Sequence, residues 1–398
     1  MDFSFEIVKK DRNLKARAGI ITTHRGKIKT PAFSPVATRA VVRSLSSEDL
    51  KKTGSQVVLG NTYHLYLAPG VEVIKKFGGF TSLMNWKGPS ISDSGGYQVS
   101  FLRAVNDDSV GKVLGITDHG VWFISYIDGG KHLITPEKSM EIQSVLDADI
   151  IMAFDQPLSK SSTTKKKNDA FERTMKWEER SFIHWQKIQK RKKVKQALFG
   201  IIQGETDKKL RQTSLKFLLS LGFPGLAIGG ESIGSDPAVT ARAMDTVSDL
   251  LPEDKPLHAL GLGGGPEGIF EAVSRGVDIF DNSSVTRMAR TGYLFIYPED
   301  GGRPSNKFRI DIKKSTYKFD KKPVGRMCLC FSCRNYSRAY IRHLFSVHET
   351  LALRLASMHN VYFINDLMVR IRDAVLTGDF VSFKRHWLNR REFLTIRS

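Results

Sequence analysis

Residues 266–283 read P-E-G-I-F-E-A-V-S-R-G-V-D-I-F-D-N-S. The first part has a helical pattern, and after Gly276 the run V-D-I-F-D is strand-like, short and apolar, closing on an acid. The same alternation extends upstream. Q-V-V-L-G-N-T-Y ends its apolar run at Gly60, and P-S-I-S-D-S-G-G follows a helical stretch. D-A-D-I-I-M-A-F-D-Q-P closes on Asp155, Q-A-L-F-G-I-I-Q-G on Gln203, and P-G-L-A-I-G-G-E on Gly229 and Gly230; L-H-A-L-G-L-G-G-G comes next. Six or seven strand–helix alternations over about 250 residues predict a parallel α/β architecture, and a (β/α)8 barrel fits the length. The strand ends at Asp93, Asp155, Gln203, Gly230 and Asp281 then fall on the C-terminal face, where barrels place their chemistry. A doubly wound open sheet would also put ligands at strand C-termini. Before the alternation begins, F-E-I-V-K-K-D and A-R-A-G-I-I-T-T-H-R-G-K-I-K-T-P-A-F read as a hairpin.

Hydrophobic residues make up 41% of the 398 and charged ones 26%, an ordinary globular composition. No apolar run approaches the roughly 18 residues that span a bilayer. The N-terminus, M-D-F-S-F-E-I-V-K-K, lacks a signal pattern, so a cytoplasmic protein with no membrane partner is expected. Lys plus Arg number 61 against 41 Asp plus Glu, a net charge of +20. Such an excess favours a polyanion, nucleic acid first. A merely basic enzyme, or one seated on anionic membrane, is the blander alternative. Two Lys-rich runs, at 160–169 and 187–196, read mainly as solvated faces.

All three cysteines, Cys328, Cys330 and Cys333, lie within six residues. A disulfide scaffold would spread an even number along the chain, whereas C-L-C-F-S-C folds readily around one tetrahedral ion. Thiolates at this density favour zinc, in a closed structural site. A fourth ligand is needed, and His343, His348 and His359 all follow; spacing does not choose among them. After Asp311 the chain becomes Lys-rich. The expected division is a barrel part at 1–311 with its N-terminal hairpin, a zinc-binding region and closing barrel helix at 312–379, and a basic tail at 380–398.

I-S-D-S-G-G-Y leaves Asp93 on a glycine turn. An acid before Gly-Gly is often only a cap for free backbone N–H groups. A second acid at the same mouth makes another reading possible: two carboxylates suit glycosidic chemistry through an oxocarbenium-like transition state. Asp281 ends its strand and should face that mouth, while Asp278 should be less exposed. Asp155 and Gln203 have the acceptors and donors to read a purine edge, and Gly229-Gly230 lets backbone N–H groups approach a carbonyl. Tyr97 and Leu260 are suited to cover the two faces of a base. T-R-M-A-R puts Arg287 and Arg290 nearby to hold phosphates or neighbouring bases.

S-D-S-G-G-Y-Q, L-G-N-T-Y-H-L, D-G-G-K-H-L-I-T-P-E-K-S-M-E-I-Q, I-I-Q-G, V-D-I-F-D-N with T-R-M-A-R-T-G, and C-L-C-F-S-C with N-Y-S-R-A-Y-I-R-H-L-F together resemble the tRNA-guanine transglycosylases, from about Phe3 to about Asp379. The resemblance implies a (β/α)8 barrel with a zinc-binding insertion, exchange of the wobble guanine of tRNA for a free 7-deazaguanine base, a tRNA partner read at U-G-U in the anticodon loop, and a homodimer. It implies Asp281 as nucleophile toward the ribose, Asp93 as general acid/base, Asp155, Gln203 and Gly230 as base-binding residues, and Tyr97 and Leu260 as a sandwich around the base. Arg287 and Arg290 would contact anticodon neighbours, and Cys328, Cys330, Cys333 and His359 would bind zinc.

The chain departs from the bacterial pattern around the base. A glutamate that would pair with the cationic arm of 7-aminomethyl-7-deazaguanine is replaced by Ser235, while Glu231 stands four residues earlier. F-D-E-C becomes F-D-Q-P with Pro157, C-V-x-P-T-R becomes N-S-S-V-T-R, and G-L-G-G-G carries an extra glycine. Both acids are kept. Altered base choice with retained chemistry is the expectation, with queuine ahead of the aminomethyl base. The competing readings are a non-catalytic tRNA-binding subunit and a zinc-containing RNA-binding protein without activity.

Overall fold

A computed structural model describes residues 3–101, 111–158, 162–192, 196–230, 233–234 and 236–388. Eight strand positions form a closed parallel barrel. The first is Ala32–Ser34, which resumes beyond Pro35 as Val36–Ala37. Val58–Gly60, Ser90–Ser92, Ile150–Met152, Ala197–Ile202, Gly225–Ile228, Leu257–Ala259 and Ile279–Asp281 follow in order around the ring. Closure comes from the split first strand. Ala32–Ser34 pairs with Ile279–Asp281 on one side, and Val36–Ala37 pairs with Leu59–Gly60 on the other. Proline has no N–H for a ladder, so Pro35 is tolerated where the strand changes partner. P-A-F therefore belongs to the barrel and not, as expected, to the N-terminal hairpin.

The barrel strands are buried along their length, as a sheet covered on both faces requires. Inward side chains, among them Ile91, Ile150, Phe199, Ile201 and Ile279, fill the interior. Each such side chain fully removed from water contributes about 1.5–3 kcal/mol. The N-terminal segment is a three-stranded antiparallel sheet, Ser4–Lys10, Arg17–Thr23 and Gly26–Thr30, and it packs Ile21 and Ile28 into that interior core. Phe3 meets Phe199 edge-on at 5.8 Å. Arg17 forms a buried pair with Asp278 (2.6 Å), whose carboxylate also accepts from Leu257 N (2.8 Å). Asp278 is thus structural, and Asp281, three residues on, carries its carboxylate to the opposite end of the same strand.

Caps set the helices. Asp207 accepts from Leu210 N, and Asp236 from Ala238 N and Val239 N ahead of Pro237. A second antiparallel sheet, Lys112–Ile116, Val121–Ile124 and Lys131–Ile134, follows the third barrel strand and packs Val121, Phe123 and Ile134 near Tyr63 and Trp177.

The helix Thr350–Thr377 ties the cysteine cluster to the barrel. Arg354 pairs with Asp49 (2.7 Å), Asn365 donates to Thr53 O (2.9 Å), and Arg372 donates to Gly19 O and Thr30 O (2.6 Å each). The segment expected to be a basic tail begins as the helix Phe380–Leu388, whose buried Trp387 packs among Phe270, Phe308 and Phe363; residues 389–398 lie outside the described residues.

Candidate active site and metal cluster

The C-terminal ends of the barrel strands surround a cavity of about 770 Å³. Asp93, Tyr97, Asp155, Gln203, Gly229, Gly230, Leu260, Asp281 and Arg287 all line it, brought together from six strand ends.

Asp93 follows the third strand and is tightly held. Asn61 Nδ2 donates to Oδ2 (2.6 Å), Thr62 N donates to Oδ1 (2.9 Å), and the Thr62 hydroxyl donates to the Asp93 carbonyl. Burial raises its pKa to about 7; Asp281 and Asp155 push the same way, while hydrogen bonds from Thr62 and Gly95 oppose them. Gly95 takes a φ of +82°, which turns the chain sharply behind the acid.

Asp155 lies three residues beyond its strand and is buried. Gln203 Nε2 donates to Oδ2 (2.7 Å) and Ser94 Oγ to Oδ1 (3.3 Å). Burial raises this carboxyl to about 6, against the pull of those two bonds. Gln203 Oε1 has no hydrogen-bond partner among the described residues. The pair therefore places a carboxyl group and an amide side by side at the cavity. Gly229 N already donates to Ile202 O (3.2 Å), so of the two glycine N–H groups only that of Gly230 lacks an acceptor among the described residues.

Asp281 faces the same cavity with a different environment. Its Oδ1 accepts from His258 Nε2 (2.8 Å) and Gly261 N (3.1 Å), and its Oδ2 takes no hydrogen bond from a described residue. Two carboxyl groups at one cavity, one protonating near neutrality and one with an oxygen unpaired among the described residues, are equipped for separate acid and nucleophile roles.

Arg290 is not on the cavity wall. It is half-buried, and burial with the charges of Arg43 and Arg287 lowers its pKa. None of Arg43, Arg287 and Arg290 has an ion pair among the described residues, so together they add positive charge beside the cavity that no described acid pairs with. Arg39 adjoins them and donates to the Tyr126 hydroxyl (2.8 Å), which lies 3.3 Å from His64 Nδ1. Burial, then Arg39 and Arg43, lower His64 to about 4.

Asn61, Ser94, His64 and His258 were not singled out from sequence. Asn61 and His64 stand inside the quoted L-G-N-T-Y-H-L, and Ser94 beside Asp93, so position next to a motif was the only signal. Glu231 and Ser235 lie outside the described residues. Pro157 and Ser283, two of the departures from the bacterial pattern, line the cavity.

Cys328, Cys330, Cys333 and His359 are buried, with ligand atoms all within 4.8 Å of one another. His359 Nδ1 lies 3.3–3.6 Å from the three sulfurs, and Nε2 donates to Phe295 O (2.7 Å). That outer bond leaves the Nδ1 lone pair aimed at the sulfurs, the usual arrangement for a metal-binding imidazole. The donor set fits one tetrahedral ion. His343 and His348 are exposed and outside the cluster.

Among the described residues, no helix is long and apolar enough to cross a membrane. A family profile described as Queuine tRNA-ribosyltransferase matches residues 11–393. The chain is 42% identical over 388 residues to the queuine tRNA-ribosyltransferase of Desulforamulus reducens, covering 98% of both chains. It is 42% identical over 386 residues to that of Thermoanaerobacter pseudethanolicus, with 97% of both covered, and 43% identical over 384 residues to that of Fusobacterium nucleatum, covering 96% of this chain and 97% of the relative. With a parallel barrel, two acids at its mouth and near full-length similarity, the chain belongs to the queuine tRNA-ribosyltransferase family, a family of pentosyltransferases.

Proposed function

We propose that the protein exchanges the wobble guanine of tRNA for a 7-deazaguanine base through a covalent Asp281–ribose intermediate. The observation that carries this is the contrast between the two acids: Asp281 Oδ2 takes no hydrogen bond from a described residue, and the pKa of Asp93 is raised to about 7. A lone pair of Asp281 Oδ2 forms a bond to ribose C1′. The C1′–N9 bond breaks with its electron pair going to guanine, which takes the Asp93 proton and leaves. The incoming base then gives its N9 proton to Asp93. Its N9 attacks C1′, and the C1′–Oδ2 electrons return to the carboxylate.

Asp155, Gln203 and the Gly230 N–H would bind the base edge, with Tyr97 and Leu260 against its faces. Arg287 and Arg290, with Arg43 beside them, would hold the anticodon loop around a U-G-U sequence, in keeping with the net charge of +20. Zinc in the Cys328, Cys330, Cys333 and His359 cluster would be structural, since all four positions are filled by protein. The working form is read as a cytoplasmic homodimer.

Queuine is the favoured incoming base and 7-aminomethyl-7-deazaguanine the next. Support comes from neutral Ser235 at the position of the cation-binding glutamate. The test is release of labelled guanine from a tRNA transcript with a U-G-U anticodon loop, with each base supplied separately. Exchange with queuine alone supports the reading. Exchange with the aminomethyl base alone sinks the queuine preference, and no exchange with either sinks the activity.

A further inference from the structure

His258 lies in the seventh barrel strand, fully buried, and takes no part in the reaction as written above. Its register neighbour on the eighth strand is Ile279, two residues before Asp281. From there its Nε2 reaches Asp281 Oδ1 at 2.8 Å. A carboxylate only accepts, so Nε2 is the donor. The other ring nitrogen, Nδ1, is buried with no hydrogen-bond partner among the described residues.

Gly261 N donates to the same Oδ1 at 3.1 Å. Two donors on one oxygen fix the rotation of the carboxylate. The oxygen left over has no hydrogen-bond partner among the described residues and belongs to a side chain on the cavity wall.

We propose that His258 is a positioning residue for Asp281: it anchors Oδ1 so that Oδ2 faces the ribose, and it steadies the carboxylate when that group is released. This rests on the reading of Asp281 as the nucleophile. In the first half-reaction the bond to C1′ forms at Oδ2, and Oδ1 becomes the carbonyl oxygen of the ester. A hydrogen bond to an ionised carboxylate is roughly twice as strong as one to a neutral acceptor. The His258 bond therefore favours the free enzyme over the adduct and helps the carboxylate leave in the second half-reaction.

The experiment compares His258→Phe, His258→Gln and Asp281→Asn with the unaltered full-length protein. Guanine exchange into tRNA, the fraction of chain in a denaturant-stable tRNA adduct, and the melting temperature are measured. Phenylalanine fills similar space without a donor, and glutamine places an N–H near the former Nε2. His258→Phe should lower kcat about 10–100-fold with the KM for tRNA within about twofold, and raise the adduct fraction severalfold. His258→Gln should exchange within about fivefold of the unaltered protein.

The proposal fails if His258→Phe retains kcat within twofold, or if a folded His258→Gln is as impaired as His258→Phe. Should His258→Phe not fold, the glutamine variant decides alone: near-normal exchange supports the proposal and a loss beyond about a hundredfold overturns it. Asp281→Asn separates the two readings. If it still exchanges guanine, the nucleophile assignment falls whatever His258 does. If it is inactive while His258→Phe is unchanged, only the positioning role falls.

Discussion

Gly96 lies so close to Asp155 that a β-carbon on it would stand 2.2 Å from the Asp155 carbonyl oxygen and 2.8 Å from Oδ1. The second glycine of D-S-G-G is therefore there to let the turn after the third strand close on the loop after the fourth. Gly96→Ala must push the two apart. It should leave the fold intact and weaken base binding about tenfold or more, measured by titration with guanine. Unchanged affinity would show that this contact does not shape the pocket.

The pH behaviour follows from Asp93. Burial raises its folded pKa to about 7, so the protonated form predominates below that pH and is lost above it. On the proposed mechanism, guanine release in a single turnover needs that proton. It should be level below about pH 7 and fall roughly tenfold per unit above it. Addition of the incoming base needs the carboxylate and should fall in the opposite direction. A release rate flat to pH 9 would rule out Asp93 as the acid.

Asn61 donates to Asp93 Oδ2 at 2.6 Å. A bond to the charged form lowers a carboxyl pKa, so Asn61→Ala should move the edge of the guanine-release profile to higher pH. The position of that edge, measured on both proteins at one ionic strength, is the readout; a shift to lower pH contradicts the assignment.

Arg290 lies close to Arg43 and to the cavity-lining Arg287, and neither Arg290 nor Arg43 has an ion pair among the described residues. Replacing each by alanine should raise the KM for tRNA several-fold to tenfold and leave affinity for the free base unchanged. If they contact phosphates, each should also reduce by about one the slope of log affinity against log salt. An unaltered slope would point to base contacts instead.

His359 shares the buried cluster with three thiols. The purified chain should carry about one zinc ion, and His359→Ala should lose it and melt more than about 5 °C lower, because a structural metal lost from a closed site leaves three buried sulfurs uncompensated. Metal analysis and a thermal melt check this together. A metal-free protein of unchanged melting temperature would show that the cluster needs no ion.

Most barrel strands were legible because each is a short apolar run ending on glycine or a polar residue, with a helical stretch between. The first strand was not. Pro35 divides it, and no helix separates it from the antiparallel sheet before it, so nothing local marks Ala32–Ala37 as part of the barrel. Only ring closure, with Ala32–Ser34 paired to the eighth strand, identifies it. The antiparallel sheet after the third strand was likewise unread, since its short strands carry no helix-alternating pattern.

Chemistry carried by residue type and close spacing could be read from the chain alone. Three cysteines within six residues, an acid on a Gly-Gly turn, an acid ending an apolar run and a charge of +20 are local or summed properties that need no fold. Distances between residues far apart in the chain had to wait for the barrel. Spacing left three histidines open to the metal, although the family resemblance implied His359, and the helix Thr350–Thr377 brings His359 to the sulfurs while His343 and His348 stay exposed. Asp278 and Asp281 differ by three positions, yet one is buried against Arg17 and the other opens on the cavity, because they stand at opposite ends of one short strand. His258 looks like one polar residue in an apolar run. Its contact with Asp281 exists only because parallel pairing sets the seventh strand beside the eighth, and strand register is a property of closure that no single segment contains.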